Sequence, residues 1–145
     1  MKYIFTLAPI CLLLLLSGKP NVRTIGKAQE AKAYCLENNL NTAFCLLVDM
    51  SIHSGKYRLF VYDLKNNEIL HQGLVSHGCC DNVWSRDYTK DNPNFSNVPE
   101  SYCSSLGKYR IGARGWSNWG INVNYKLHGL EKTNDKAYER LIVLH

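Results

Sequence analysis

Three consecutive stretches, Arg58-Leu-Phe-Val-Tyr-Asp-Leu64, Lys65-Asn-Asn-Glu68 and Ile69-Leu-His-Gln-Gly-Leu-Val75, decide the class of fold. The first is aromatic and β-branched, which suits a pleated, half-buried strand. The second is a turn, because Asn tolerates left-handed backbone angles. The third returns as a strand, so the passage predicts a β-hairpin. Upstream, Ala43-Phe-Cys-Leu-Leu-Val48 is a continuous apolar run and reads as a buried strand. Before it, Ala28, Ala31, Tyr34, Cys35 and Leu40 recur at near-helical spacing. They predict an amphipathic helix from Lys27 to Leu40, stopped near Asn38-Asn39.

Downstream, residues 78–103 show no periodicity and are rich in Asn, Asp, Ser and Pro. A loop of that length inside one domain is usually functional or mobile. Lys108-Tyr-Arg-Ile111 and Asn124-Tyr-Lys-Leu-His128 read as short strands flanking a Gly- and Trp-bearing turn. Asn134-Asp135 can cap a helix through Ala137, Tyr138 and Arg140. Leu141-Ile-Val-Leu144 then reads as a central strand, each buried side chain contributing roughly 1.5–3 kcal/mol. Because only His145 follows this run, the sequence raises the expectation of a domain that is incomplete at its C-terminal end.

The 145 residues suffice for one domain with its own core. A formal charge of +5 suits an anionic partner but forms no basic cluster of the kind nucleic-acid binding needs. Lys2, the apolar run from Tyr3 to Leu16 and the small pair Ser17-Gly18 describe a secretory signal peptide over residues 1–18. The run is too short for the roughly 20 residues of a membrane-spanning helix, so no membrane insertion is expected once the signal is removed. Residues 19–26 are expected as a linker and residues 27–145 as the domain. Export leaves five cysteines, Cys35, Cys45, Cys79, Cys80 and Cys103, an odd number in a compartment that permits disulfides. Cys35 and Cys45 read as small core residues.

Four constellations could carry chemistry. In Ser76-His-Gly-Cys-Cys80, an imidazole beside a thiol can activate it as a nucleophile, and His77 and Cys79 would share one face of a strand. Equally, these are the incidental residues of a strand entering a loop. His71, His77, Cys79, Cys80 and Cys103 lack the paired spacing of a zinc site, so no metal is expected. In Tyr125-Lys-Leu-His-Gly-Leu-Glu131, His128 could present its ring to a cleft or simply brace a loop. His145, at the exit of a strand, is well placed as a general base. In addition, Trp84, Trp116 and Trp119 with Arg86, Arg110 and Arg114 could line a sugar or peptide groove, although half-buried packing is the commoner role.

Taken in order, Arg58–Leu64, Val75-Ser-His-Gly78, Phe95-Ser-Asn97, Ser101, Ser104-Ser-Leu-Gly107, Leu127-His-Gly-Leu-Glu131, Asn134-Asp135, Arg140 and Ile142-Val-Leu-His145 resemble the murein L,D-transpeptidase catalytic-domain family, in its YkuD-related branch. The resemblance runs from about Ala28 to the last residue. It implies a mostly β (β-rich α+β) fold, a mixed sheet or sandwich around a cleft preceded by one helix. It implies peptidoglycan stem peptides as substrate, no cofactor, no nucleic acid, a monomer, and a place in the periplasm or cell envelope.

Enzymes of this family cleave between the third and fourth stem residues, hold the acyl part on a cysteine, and pass it to an amine of another stem. The resemblance puts the general base on His145 and the substrate-binding wall on Ser104, Ser105 and His128. It places the nucleophile in a Ser-x-Gly-Cys motif after the base, so Cys79 with His77 is the lesser alternative for catalysis. The other reading of the same fold is a cell-wall-binding remnant without acyl transfer.

Overall fold

The structure, a computed structural model, describes residues 22–80, 93–118 and 120–145. The expected signal peptide, Trp84, Arg86 and Trp119 lie outside them. The described chain is mostly strand, with one helix at its N-terminal end. It divides into two compact units, one built from Val61–His71 and the residues up to Leu46, the other from Leu47–Phe60 and Gln72–His145.

In the first unit, helix α1 spans Val22–Glu37 and buries Thr24 and Ala28, which are four residues apart on one face. It takes in residues 22–26, where a linker was expected. Gly26 lowers the helical preference of that first stretch by about 1 kcal/mol, which hides it from sequence periodicity. The helix closes as anticipated. Asn39 adopts φ 52°, Leu40 N–H donates to Cys35 O at 2.8 Å and Asn39 N–H to Leu36 O at 3.5 Å, the paired bonds of a Schellman ending.

Strands β1 (Phe44–Val48), β2 (Leu59–Asp63) and β3 (Glu68–Gly73) form an antiparallel sheet in the order β1-β2-β3. The β2–β3 hairpin is the one anticipated. The Asp63 carboxylate accepts from Lys65 N–H at 2.7 Å and Asn66 N–H at 2.8 Å, and Asn67 sits at φ 57°. Those bonds hold the Asp63 carboxyl below its usual value, the Asn66 bond most. Strand β1 departs from expectation. Phe44 and Val48 are 52% and 44% exposed, so the apolar run is half-buried rather than central.

In the second unit, β4 (Tyr109–Trp116), β5 (Val123–Gly129) and β6 (Val143–Leu144) form a second antiparallel sheet in that order. The register pairs Arg110 with His128, Ile111 with Leu127, Arg114 with Tyr125 and Gly115 with Asn124, with a bulge between Ile111 and Arg114. Among the described residues, the parallel component of the expected mixed sheet is one bridge, between Phe95 and Ser104.

Two further expectations are corrected in this unit. Residues 132–141 form successive turns rather than a regular helix. Leu141 leaves them at φ 56°, with its N–H on Tyr138 O at 3.2 Å and Ile142 N–H on Ala137 O at 3.0 Å, again the Schellman pattern. A leucine in this left-handed region costs about 1–2 kcal/mol, and it reverses the chain so that only Val143 and Leu144 pair with β5. Leu141 is therefore 64% exposed and lies outside the strand.

Candidate functional site

The residues that resembled family motifs are mostly the frame of the second unit. Asn134 is fully buried; it accepts from Glu131 N–H at 2.9 Å through Oδ1 and donates to Lys108 O at 2.8 Å through Nδ2. Gly107 (φ 136°) and Gly129 leave room for it, since a Cβ on either would overlap Asn134. Arg140 donates to Ser96 O at 2.8 Å, Cys103 O at 2.6 Å and Ser101 Oγ at 3.1 Å, tying the described end of the long loop to the turns before β6. Asn97 adds bonds to Lys132 O at 3.1 Å and Asp135 Oδ1 at 2.6 Å.

Cys80 and Cys103 form a disulfide, a pairing the sequence had left open. Their sulfurs are therefore committed to each other and not to a metal. Among the described residues no group of three or more His, Cys, Asp and Glu is placed to hold a metal ion. Cys35, Cys45 and Cys79 are free thiols. Cys35 and Cys45 are partly buried rather than in the core, and burial, with Cys35 adding to it, pushes the Cys45 thiol up to about 11.

His77 and Cys79 are both buried. Arg58, with no exposed surface, donates to Val75 O at 2.8 Å, to Ile52 O at 3.0 Å and to His77 Nδ1 at 3.1 Å. A guanidinium can only donate, so Nδ1 is the acceptor and the ring proton is on Nε2. The Cys79 thiol points to the Cys80 carbonyl at 3.6 Å. Gly78 N–H donates to Ser104 Oγ at 2.9 Å, and a Cβ on Gly78 would overlap Tyr102 O. These contacts describe a locked chain crossing, with His77 and Cys79 inside it. Ser104 braces that crossing, and Ser105 Oγ lies 2.8 Å from the Tyr109 hydroxyl.

His128 and His145 lie on the other sheet. Val143 stands opposite Lys126, and residues opposite one another project to one face. β6 ends at Leu144; carried one residue further, the alternation of side chains along a strand would set His145 on the face of Asn124, Lys126 and His128. Tyr138 covers part of it. Its ring stacks on His128 with centroids 4.6 Å apart at 23°, and the Lys126 ammonium lies 4.9 Å from its centroid. His145 itself is exposed. The site thus has an exposed imidazole one residue past β6 and, on β5, a cation and a second imidazole both held by the Tyr138 ring.

Neither Lys126 nor Tyr138 was singled out as a site residue from the sequence. Strand alternation linking Lys126 to His128 was the available signal; nothing in the sequence places Tyr138 over both. A groove of about 430 Å³ in the first unit, lined by Lys32, Leu36, Thr42, Ala43, Asp63 and Lys65, contains none of the candidate residues.

The family model for the L,D-transpeptidase catalytic domain matches residues 20–145. The chain belongs to this family. L,D-transpeptidases act on peptidoglycan. No curated protein and no solved structure matches the chain significantly. Among the described residues, no helix is long and apolar enough to cross a membrane.

Proposed function

We propose that this L,D-transpeptidase domain is an exported cysteine acyltransferase that joins the third residue of one peptidoglycan stem to the third residue of another. His145 is its general base. The observation that supports this is the exposed His145 one residue past β6, the strand that pairs with the part of β5 carrying Tyr125 and Lys126. The reading requires a cysteine placed after His145 in the chain, as the family resemblance implies.

In the first half-reaction His145 takes the thiol proton and the thiolate attacks the carbonyl of the third stem residue. Backbone N–H groups beside the cysteine hold the oxyanion. The amine of the fourth residue leaves with the proton from His145, and a thioester remains. In the second half-reaction the incoming stem amine gives up a proton to His145, attacks the thioester and expels the thiolate. Neither half-reaction calls for a cofactor. Residues 1–18 act as the export signal, and the periplasm or cell envelope supplies the oxidising conditions that suit the Cys80–Cys103 disulfide. Ser104 and Ser105 belong to the wall that shapes the substrate path.

The test is cross-link formation from stem tetrapeptides by the chain continued past His145 to its cysteine. The wild-type form should yield dimers by liquid chromatography and mass spectrometry, and His145→Ala should lower the rate by roughly two to four powers of ten. A His145→Ala form as active as the wild type would remove His145 from the mechanism. A chain that binds stems without any turnover would favour the wall-binding remnant.

A further inference from the structure

The charge on the face of β5 that carries His128 is one-sided. Arg110 stands across the register from His128, and Lys126 stands across from Val143. No carboxylate among the described residues pairs with either; the ion pairs Lys27–Glu30 and Lys108–Glu131 use other side chains. Lys126 is half-buried, with its ammonium held 4.9 Å from the centroid of the Tyr138 ring. That ring is itself fixed against His128. A ring face accepts none of the three ammonium N–H bonds in the ordinary sense, so Lys126 is oriented while its donors stay available to an anion. Much of the entropy of ordering a long side chain is thus lost before any ligand arrives.

We propose that Lys126 binds the terminal carboxylate of the stem peptide, next to His145. This inference rests on the transpeptidase reading above. Lys126 is opposite Val143, two residues before His145; where the pairing runs on by one residue past β6, Lys126 and His145 are diagonal neighbours on one face, about 7–8 Å apart. The base must reach the nitrogen of the scissile amide. In a tetrapeptide that nitrogen and the terminal carboxylate are joined through a single α-carbon. A cation one diagonal step from the base therefore falls where that carboxylate lies, and the pair would favour donors whose chain ends directly after the scissile bond.

Calorimetric titration of the purified protein with a synthetic stem tetrapeptide, and with the same peptide carrying a C-terminal amide, tests this. The wild-type protein should bind the acid at least about tenfold more tightly than the amide, the lower end for a hydrogen bond to a charged group. Lys126→Met should lose that preference and bind both peptides as the wild type binds the amide. Lys126→Arg should keep it. Unchanged preference in Lys126→Met would overturn the assignment while leaving the transpeptidase reading intact. Failure of the wild-type protein to bind either peptide would overturn both.

Discussion

The Arg58 guanidinium lies 3.1 Å from His77 Nδ1, and Arg58 has no exposed surface. Burial alone lowers the guanidinium from its ordinary value, yet it stays a cation and is met by two backbone carbonyls and one imidazole rather than by a carboxylate. The contact fixes the Val75-Ser-His-Gly78 segment to β2. It also holds His77, which with Cys79 reads in sequence as an activator beside a nucleophile, inside the fold.

Arg58→Met should therefore destabilise the protein by about 2–4 kcal/mol, because Val75 O, Ile52 O and His77 Nδ1 lose buried partners. Chemical denaturation of the variant beside the wild type measures the loss. A change under about 0.5 kcal/mol, the usual range for surface substitutions, would mean that water replaces the guanidinium without penalty.

Much of the fold was legible because its decisive signals are local. The Lys65–Glu68 turn with Asn67 at φ 57° and the helix stop at Asn39 each follow from what one residue type permits its own backbone to do. The segment from Asn134 to Leu141 departs from its sequence reading because its outcome depends on distant partners. Asn134 is drawn into a buried bond with Lys108 O, and Leu141 takes a left-handed angle that its side chain disfavours. His145 was legible as an imidazole at a strand exit; its part as a base is what the resemblance implies. The Tyr138–Lys126–His128 cluster was not, since a turn ten residues beyond His128 supplies its ring.

Removing the Cys80–Cys103 disulfide by double substitution to Ser should cost about 3 kcal/mol, the loop-closure value for a sequence separation of 23. Alkylation of the native protein without reductant, followed by peptide mapping, should label Cys35 ahead of Cys45, whose thiol is raised, and ahead of buried Cys79, and leave Cys80 and Cys103 unlabelled. Label on Cys80 or Cys103 would contradict the pairing.

Gly78→Ala should be more damaging than an ordinary loop substitution. The added methyl would overlap Tyr102 O and come within 2.7 Å of Ser104 N, both backbone atoms beside Cys103. A loss of about 2 kcal/mol or more is expected, read as a lower denaturation midpoint. Unaltered stability would show that this crossing is looser than drawn.

The Cys45 thiol gives the protein an alkaline dependence. With a value near 9.0 when unfolded and about 11 when folded, the native state keeps a proton that the unfolded state releases. The associated stability is fully present below pH 9 and is lost as pH rises through about 11, on the order of 2 kcal/mol in all. Stability profiles of the wild type and Cys45→Ala from pH 8 upward should differ in slope between about pH 9 and about pH 11 and run parallel outside that window; parallel curves throughout would refute the assignment.

The most direct measurement of the central claim is the intact mass of the protein after incubation with a stem tetrapeptide. A form of the protein that carries a cysteine after His145 should gain the tripeptide acyl group as a thioester, and its His145→Ala form should gain none within the same time. A thioester formed by residues 1–145 alone, traced to Cys79, would contradict the account, because the reacting sulfur would then be one that the fold buries beside Cys80.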